Sequence, residues 1–550
     1  MIPLTPNTSF LEAQARTAAD TRSIGAEFLR QVRRGPRATA VHDFRGRMSR
    51  LRLAAVALSL IPLLELEPAD ERVGVVLPPG QGGALVNLAL ALDGRTAVNL
   101  NHTTGAAQLA RMGQLAGLRT VVSSRVYLER IGEPHLPGRV LLAEDLIPRL
   151  DKKRVLWNML RVLALPPTWI DKGRAQQAFT IIFSSGTTGD PKGVQISHQQ
   201  LLYNCDAVRA HLDLYPGRDV VVSPLPLFHS FGLIPGLWMG LLGGLTVAGQ
   251  ADPRDGKMLG ELIQAAQGTI LISTPTFVRG YMRRFTLAQL KTLRIAVVGA
   301  ERCGAELKEE FKASFGTDLL EGYGCTELSP AVAVNTPQAS RDGSVGRPLP
   351  GIEMMTMDPE TEALLPPGKE GLLVARTPGR MLGYLDRPDL TEAAFVHGGY
   401  NTGDMGHVDA DGYVFITGRL ARFAKMAGEM VPLDNVEAAM QVWLASQYPE
   451  DAGQLAVAAV PSARRGERLV VLHTTLPCTP EQLLAGVDDL PALFKPRAAD
   501  FYEVEAIPEL GTGKRDLGGI KRLAEQVAAA EEKPGLLERL RGMGKGDDRS

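Results

Sequence analysis

Nine short runs of β-branched and apolar residues recur between residues 73 and 300, with helical patterning between them. They are "VGVVLP" (73–78), "TAVNL" (96–100), "RTVVSS" (119–124), "RVLLA" (139–143), "FTIIFS" (179–184), "DVVVSPLP" (219–226), "LTVAG" (245–249), "GTILIS" (268–273) and "LRIAVVGA" (293–300). Strands alternating with helices predict layered, mostly parallel α/β sheets. Past residue 340 the texture changes. "GLLVAR" (371–376) and "GYVFITG" (412–418), set between Pro/Gly turns, predict a small antiparallel, barrel-like β unit. A boundary falls at "GRLARFAKMAGEMV" (418–431). Beyond it come the helix "PLDNVEAAMQVWLAS", the strands "LAVAAVPS" and "RLVVLHTT", the helix "TPEQLLAGV" and a last strand near "FYEVEAIPEL", an α+β alternation. At 550 residues the chain is too long for one core. The expected organisation is an N-terminal α/β domain over 1–417, a hinge at 418–422, a small mobile α+β domain over 423–530 and a fraying, charged tail over 531–550.

Lysine plus arginine (60) almost cancel aspartate plus glutamate (61), so nothing in the charge balance calls for nucleic acid. Cys205, Cys303, Cys325 and Cys478 lie far apart, without a CxxC pair or Cys/His metal spacing. That usage fits a reducing cytosol rather than a disulfide framework or zinc site. The N-terminus lacks a basic segment followed by an apolar one, and the apolar run "LAAVALSLIPLL" (53–64) is too short to span a bilayer. A cytoplasmic protein is expected. One stretch, "KKRVLWNMLRVLALPPTWI" (152–170), joins bases, two tryptophans and leucines at near-helical spacing. Such a helix either makes peripheral contact with the inner face of a membrane or packs on its own domain.

The segment "FTIIFSSGTTGDPKGV" (179–194) places a glycine- and hydroxyl-rich loop directly after an apolar strand. Backbone amides of such a loop can face an anion. Gly186, Gly189 and Gly193 open conformations closed to other residues, Ser184, Ser185, Thr187 and Thr188 supply hydroxyls, and Lys192 supplies charge. The P-loop pattern G-x-x-x-x-G-K-[ST] does not fit, because Pro191 stands five residues beyond Gly186 and Gly193 follows Lys192.

"SSGTTGDPKG" resembles the signature loop of the adenylate-forming superfamily, which comprises acyl-CoA synthetases, acyl–carrier-protein synthetases, peptide-synthetase adenylation domains and luciferases. Four further segments resemble that family in its order: "SPLPLFHSFG" (223–232), "LLEGYGCTELSP" (319–330), "YNTGDMGHVDADGYVFITGR" (400–419) and "PELGTGKRD" (508–516). The resemblance implies ATP and Mg²⁺ as cofactors. Ser184, Ser185, Gly186, Thr188 and Gly189 would bind phosphates, with Thr187 and Lys192 catalytic. His229 would close the carboxylate pocket. Gly322, Tyr323, Gly324 and Thr326 would receive the nucleotide, and Glu327 would hold the metal, a hard oxygen ligand beside a triphosphate. Ala300 and Glu301, in "VVGAERCG" (297–304), would line the adenine pocket. Asp404 and Arg419 would contact ribose and phosphate, and Lys514 would bridge the acid and the α-phosphate. One departure concerns the hinge: where the family carries Asp or Lys two residues after the Arg of the Gly-Arg pair, this chain has Ala421, with Arg422 and Lys425 nearby. "DADG" (409–412) lacks calcium-loop spacing and reads as a turn.

"RLARFAKMAGEMVPLDNVEAAM" (419–440) most resembles the ligase half of bacterial bifunctional acyl–carrier-protein synthetases that also reacylate lysophospholipid. The acyltransferase half is not expected here, since none of the nine histidines has Asp five residues later. The implied reaction activates a fatty acid as acyl-AMP and passes it to the phosphopantetheine thiol of acyl carrier protein or to CoA. Gly428, Glu429 and Met430 would line the thiol tunnel. A catalytically degenerate nucleotide-binding protein is the alternative from another class.

Overall fold

Two sheets with parallel centres organise the longer part of the chain. The computed structural model describes residues 8–104, 106–185, 191–426, 429–449, 452–462, 466–487, 490–491, 494–509 and 515–531. Gly186, Thr187, Thr188, Gly189, Gly428, Lys514 and the tail beyond 531 lie outside them, as do the side chains of Ser185, Ala421, Lys425, Glu429 and Met430.

All nine predicted runs are strands, and most are buried on both faces, as parallel strands covered by helices must be. They serve two sheets. The first has the order Gly383–Tyr384, Pro191–Ser197, Ala178–Ser185, Thr96–Asn99, Arg72–Val76, Thr120–Ser123, Arg139–Leu142. The second runs Arg347–Pro348, Ala331–Val334, Leu319–Gly324, Ile295–Val298, Ile270–Ser273, Val220–Ser223, Thr246–Gly249, Thr39–Asp43, Gly46–Ser49. Centres are parallel, and antiparallel pairs close both sides of the second sheet and one side of the first. One buried core joins the sheets. It takes Val75 and Ile182 from the first, Val221 and Ile272 from the second, and the fully buried Trp238, whose ring meets Phe179 edge-on at 5.1 Å. Helix Gln81–Asp93, apolar almost all round, is buried accordingly.

The expected antiparallel unit is a five-stranded sheet, Glu353–Met357, Gly371–Arg376, Gly399–Val408 and Phe395–Val396 in order, with Val414–Arg419 also on Gly399–Val408. "DADG" is a turn: Asp409 Oδ1 accepts from the amides of Asp411 and Tyr413, and Arg341 pairs with both aspartates.

The chain divides into two compact units, one reaching residue 402 and including Gly406–Ile416, the other holding Gly403–Met405 and everything from Thr417 onward. The second unit has a sheet ordered Glu429–Pro432, Phe423–Met426, Gly466–His473, Leu455–Ser462, with Phe501–Glu503 parallel to Gly466–His473. Strand alternation sorts its faces. Leu455 and Val457 share a core with Val436 and Met440 of helix Leu433–Gln447, while Ala456, Ala458 and Val460 meet Ile520 and Ala524 of helix Leu517–Glu531.

Candidate functional site

The motif segments of the first unit leave the carboxyl ends of strands. Ser184 and Ser185 close Ala178–Ser185, His229 lies six residues beyond Val220–Ser223, Ala300 and Glu301 follow Ile295–Val298, and Gly322–Gly324 end Leu319–Gly324. Crevices beyond the carboxyl ends of parallel strands are where α/β sheets bind ligands. Val298 pairs with Glu321 in adjacent strands, and a β-carbon on Gly299 would stand 3.0 Å from the Gly322 carbonyl, so the 299–301 and 322–324 segments lie side by side.

Gly324 is required by its surroundings: a β-carbon there would lie 2.0 Å from the Pro330 carbonyl oxygen. That carbonyl instead accepts the Cys325 amide at 3.0 Å, which folds the segment back and forms the tight turn Thr326–Leu328. The turn aims two side chains. Thr326 Oγ1 lies 3.1 Å from Ser230 Oγ, linking the segment to the neighbour of His229. Glu327 is buried, and its Oε1 accepts from the Tyr384 hydroxyl at 2.9 Å. Tyr400 OH lies 3.3 Å from Tyr384 OH. Burial first, and then the Glu327 carboxylate, push both phenols well above the ordinary tyrosine range, so they remain neutral donors.

Lys192 comes from the strand after the signature loop, where it pairs with Ser184. Its ammonium stands 5.4 Å from the centre of the Tyr384 ring, within cation–π reach. One cluster thus contains Lys192, Tyr384, Glu327, Tyr400, Thr326 and Ser230.

His229 is half-buried at the start of the helical turn Ser230–Leu233. Its amide donates to Pro226 O at 3.2 Å, and its carbonyl accepts from the Leu233 amide at 2.9 Å. Its ring lies 4.9 Å from that of Phe228, which meets His102 edge-on at 5.1 Å. Burial lowers the His102 imidazole to about 4, so it is neutral near pH 7, and Tyr127 OH lies 3.4 Å from its Nε2. Tyr323 is half-buried and faces Ala333 across an antiparallel pair. Ala300 is exposed with φ +68°, a left-handed conformation that costs a residue with a side chain. The Glu301 carboxylate accepts from the Thr276 amide (3.2 Å) and hydroxyl (2.6 Å), so it braces the start of helix Pro275–Met282.

In the second unit Asp404 is buried and paired with Arg419, Nε to Oδ1 3.0 Å; the arginine is mostly exposed. Arg422, near the expected hinge, is buried rather than available as a surface charge. It binds Asp434 (2.7 Å), Glu437 (2.8 Å) and the Val457 carbonyl. Burial opposes its charge, but the two carboxylates prevail and raise its pKa. Glu437 also pairs with Arg515, which forms a β-bridge with Glu509.

Sequence reasoning missed Tyr384, Tyr400 and Ser230 as parts of the cluster. Tyr400 and Ser230 stood inside quoted motifs, and a Gly-Tyr pair before the "LDRP" turn marked Tyr384. Among the described residues no three His, Cys, Asp or Glu side chains gather as a metal site. One buried carboxylate beside hydroxyls fits Mg²⁺, which keeps most of its shell from phosphates and water.

Layered α/β sheets with motif segments at their strand ends are the fold of an AMP-binding type of enzyme, and the AMP-binding enzyme family profile matches residues 28–385. The chain belongs to that family. Among relatives, it is 31% identical over 359 residues to 4-coumarate-CoA ligase 2 of Narcissus pseudonarcissus, covering 62% of this chain and 61% of that one. It is 30% identical over 373 residues to a long-chain-fatty-acid–CoA ligase of Escherichia coli O6:H1, covering 66% and 63%. These matches thus span about three fifths of the relatives' length. Crystallised ATP-bound MatB from Rhodopseudomonas palustris shares the fold with a TM-score of 0.76 at 24% identity, over 92% of this chain and 100% of that one.

Proposed function

We propose that this chain activates a fatty acid with ATP and then passes it to a phosphopantetheine thiol. A carboxylate oxygen attacks the α-phosphorus, the bond to the β-phosphate oxygen breaks, and pyrophosphate leaves. The thiol sulfur then attacks the acyl carbon, AMP departs with the bonding electrons, and the thiol proton passes to solvent. What supports this reading is the meeting of Lys192, Tyr384, Glu327, Thr326 and Ser230 from segments far apart in sequence. In it, the loop of Ser184, Ser185, Gly186, Thr187, Thr188 and Gly189 with Lys192 holds the departing phosphates, and Glu327 holds Mg²⁺ against them. Tyr323, Ala300 and the glycines around them receive adenine, Asp404 and Arg419 the ribose, and His229 borders the acid. Lys514 neutralises charge at the α-phosphate.

Acyl carrier protein is the proposed acceptor, on the resemblance of residues 419–440. A second reading, free CoA, is favoured by the relatives' names as CoA ligases. No described helix is long and apolar enough to cross a membrane. The reading carries a cytoplasmic location, where ATP and reduced thiols are found. ATP–pyrophosphate exchange across fatty acids of rising length tests the activation step, and CoA competing with holo carrier protein tests the acceptor. Exchange with aryl or amino acids but with no fatty acid would remove the substrate class.

A further inference from the structure

Helix Lys152–Ala164 faces the wrong way for an ordinary surface helix. Its polar Asn158 is buried, donating to Ser59 Oγ at 2.9 Å in helix Arg50–Leu60 and accepting from Arg161 Nη1 at 3.0 Å. Val162 is buried beside it, and Arg33 donates to the Val162 and Leu165 carbonyls. These bonds fix the helix in rotation. The consequence is that Leu156 (61% exposed), Trp157 (62%), Leu160 (54%) and Leu163 (45%) share the outward face, with Trp169 (73%) just beyond. At 100° per residue the three leucines fall within one narrow stripe, with Trp157 at its margin. A soluble surface helix has the opposite polarity.

Lys152, Lys153 and Arg154, all exposed, head this stripe. Across residues 149–172 six bases stand against two acids, and one of the acids, Asp151, is occupied as the helix N-cap. Basic residues beside an apolar stripe with tryptophan at its margin match an anionic lipid surface: headgroups for the lysines, acyl-chain boundary for the leucines, and interface for the indole. A protein partner of the same area would want fewer lysines.

We infer that this helix, with Trp169, docks the protein on anionic bilayers, lying in the plane of the interface. The inference concerns a face separate from the nucleotide-binding cluster and does not rest on which acid is activated.

The test uses the full chain and vesicles of phosphatidylcholine alone or mixed equally with phosphatidylglycerol. The wild type should sediment with the mixed vesicles, remain in solution with neutral ones, and be released by high salt. Trp157→Ser combined with Leu160→Ser should weaken binding roughly tenfold. Lys152→Glu with Lys153→Glu should weaken it by a similar factor of about ten. Because all four side chains are exposed, both variants should keep the wild-type thermal melt. The inference falls if the wild type ignores mixed vesicles, if it binds neutral ones equally well, or if the double variants bind as the wild type does. It also falls if the wild type is a dimer that Trp157→Ser with Leu160→Ser dissociates, which would assign the face to a second copy.

Discussion

Glu327 and Glu437 are both largely buried glutamates with their carboxylates held at close range, yet the company they keep differs. Glu327 accepts from a neutral phenol, backed by a second phenol and by Lys192 against the ring rather than against the carboxylate. Glu437 is gripped by Arg422 and Arg515 and accepts the Val457 amide as well. A carboxylate held by neutral donors keeps its charge for a cation from outside. One held by two guanidiniums is already neutralised, and removing it strands buried positive charge. The first arrangement suits chemistry and the second suits architecture.

Four substitutions and a pH series put that contrast to the test. The largest effect is expected at Lys514, whose neighbour Arg515 Glu437 anchors. Lys514→Ala should cut acid-dependent ATP–pyrophosphate exchange by roughly a thousandfold, while calorimetry still detects ATP binding. Unchanged exchange would end the assignment. Glu437→Ala should cost about 3 kcal/mol of stability in denaturant melts, because Arg422 loses half of its compensation. A melt like that of the wild type would contradict the structural role. Glu327→Gln should leave the melt nearly unchanged and lower exchange by roughly a hundredfold, with a raised magnesium requirement. If it unfolds the protein instead, the two glutamates are alike and the contrast fails. Tyr384→Phe, which removes only one donor, should cost roughly tenfold in exchange.

Acidification gives the smallest effect and reports on the buried histidines. Burial lowers His198 and His102 to about 4 in the folded protein, below their ordinary value. Between that ordinary value and pH 4 the unfolded chain therefore takes up more protons, so stability falls as pH drops through this window and levels off below it. His198→Gln should flatten the slope in a pH series of melts. A slope unchanged in His198→Gln would contradict that assignment.

The nine early strands were legible because parallel strands need uninterrupted β-branched runs, and such runs stand out in one dimension. The division of those runs between two sheets was not. Thr39–Asp43 pairs with Thr246–Gly249 across some two hundred residues, and no local signal records that register. Helix Leu517–Glu531 was missed because its inward face is mostly alanine and isoleucine at four-residue spacing, quiet beside a leucine stripe. At the site, Thr326 and Glu327 were readable from the motif around them. Tyr384 was not, since its role depends on a strand pair, Gly383–Tyr384 on Pro191–Ser197, that brings it to Glu327. The stretch 152–170 showed its composition in the sequence but not its rotation. Asn158 and Arg33 decide which side faces out, and both act through tertiary bonds.

The strand Gly383–Tyr384 has a bearing on solubility. It forms one border of the seven-stranded sheet and is only two residues long. A sheet border normally offers a row of unused amides to any passing strand. Here the Tyr384 amide donates to Thr391 Oγ1 at 2.9 Å, so the border is sealed by a side chain from the same molecule. The residue that supplies the phenol for Glu327 therefore also ends the sheet. Selection on Tyr384 would act through aggregation as well as turnover, and a variant could lose yield before it loses rate.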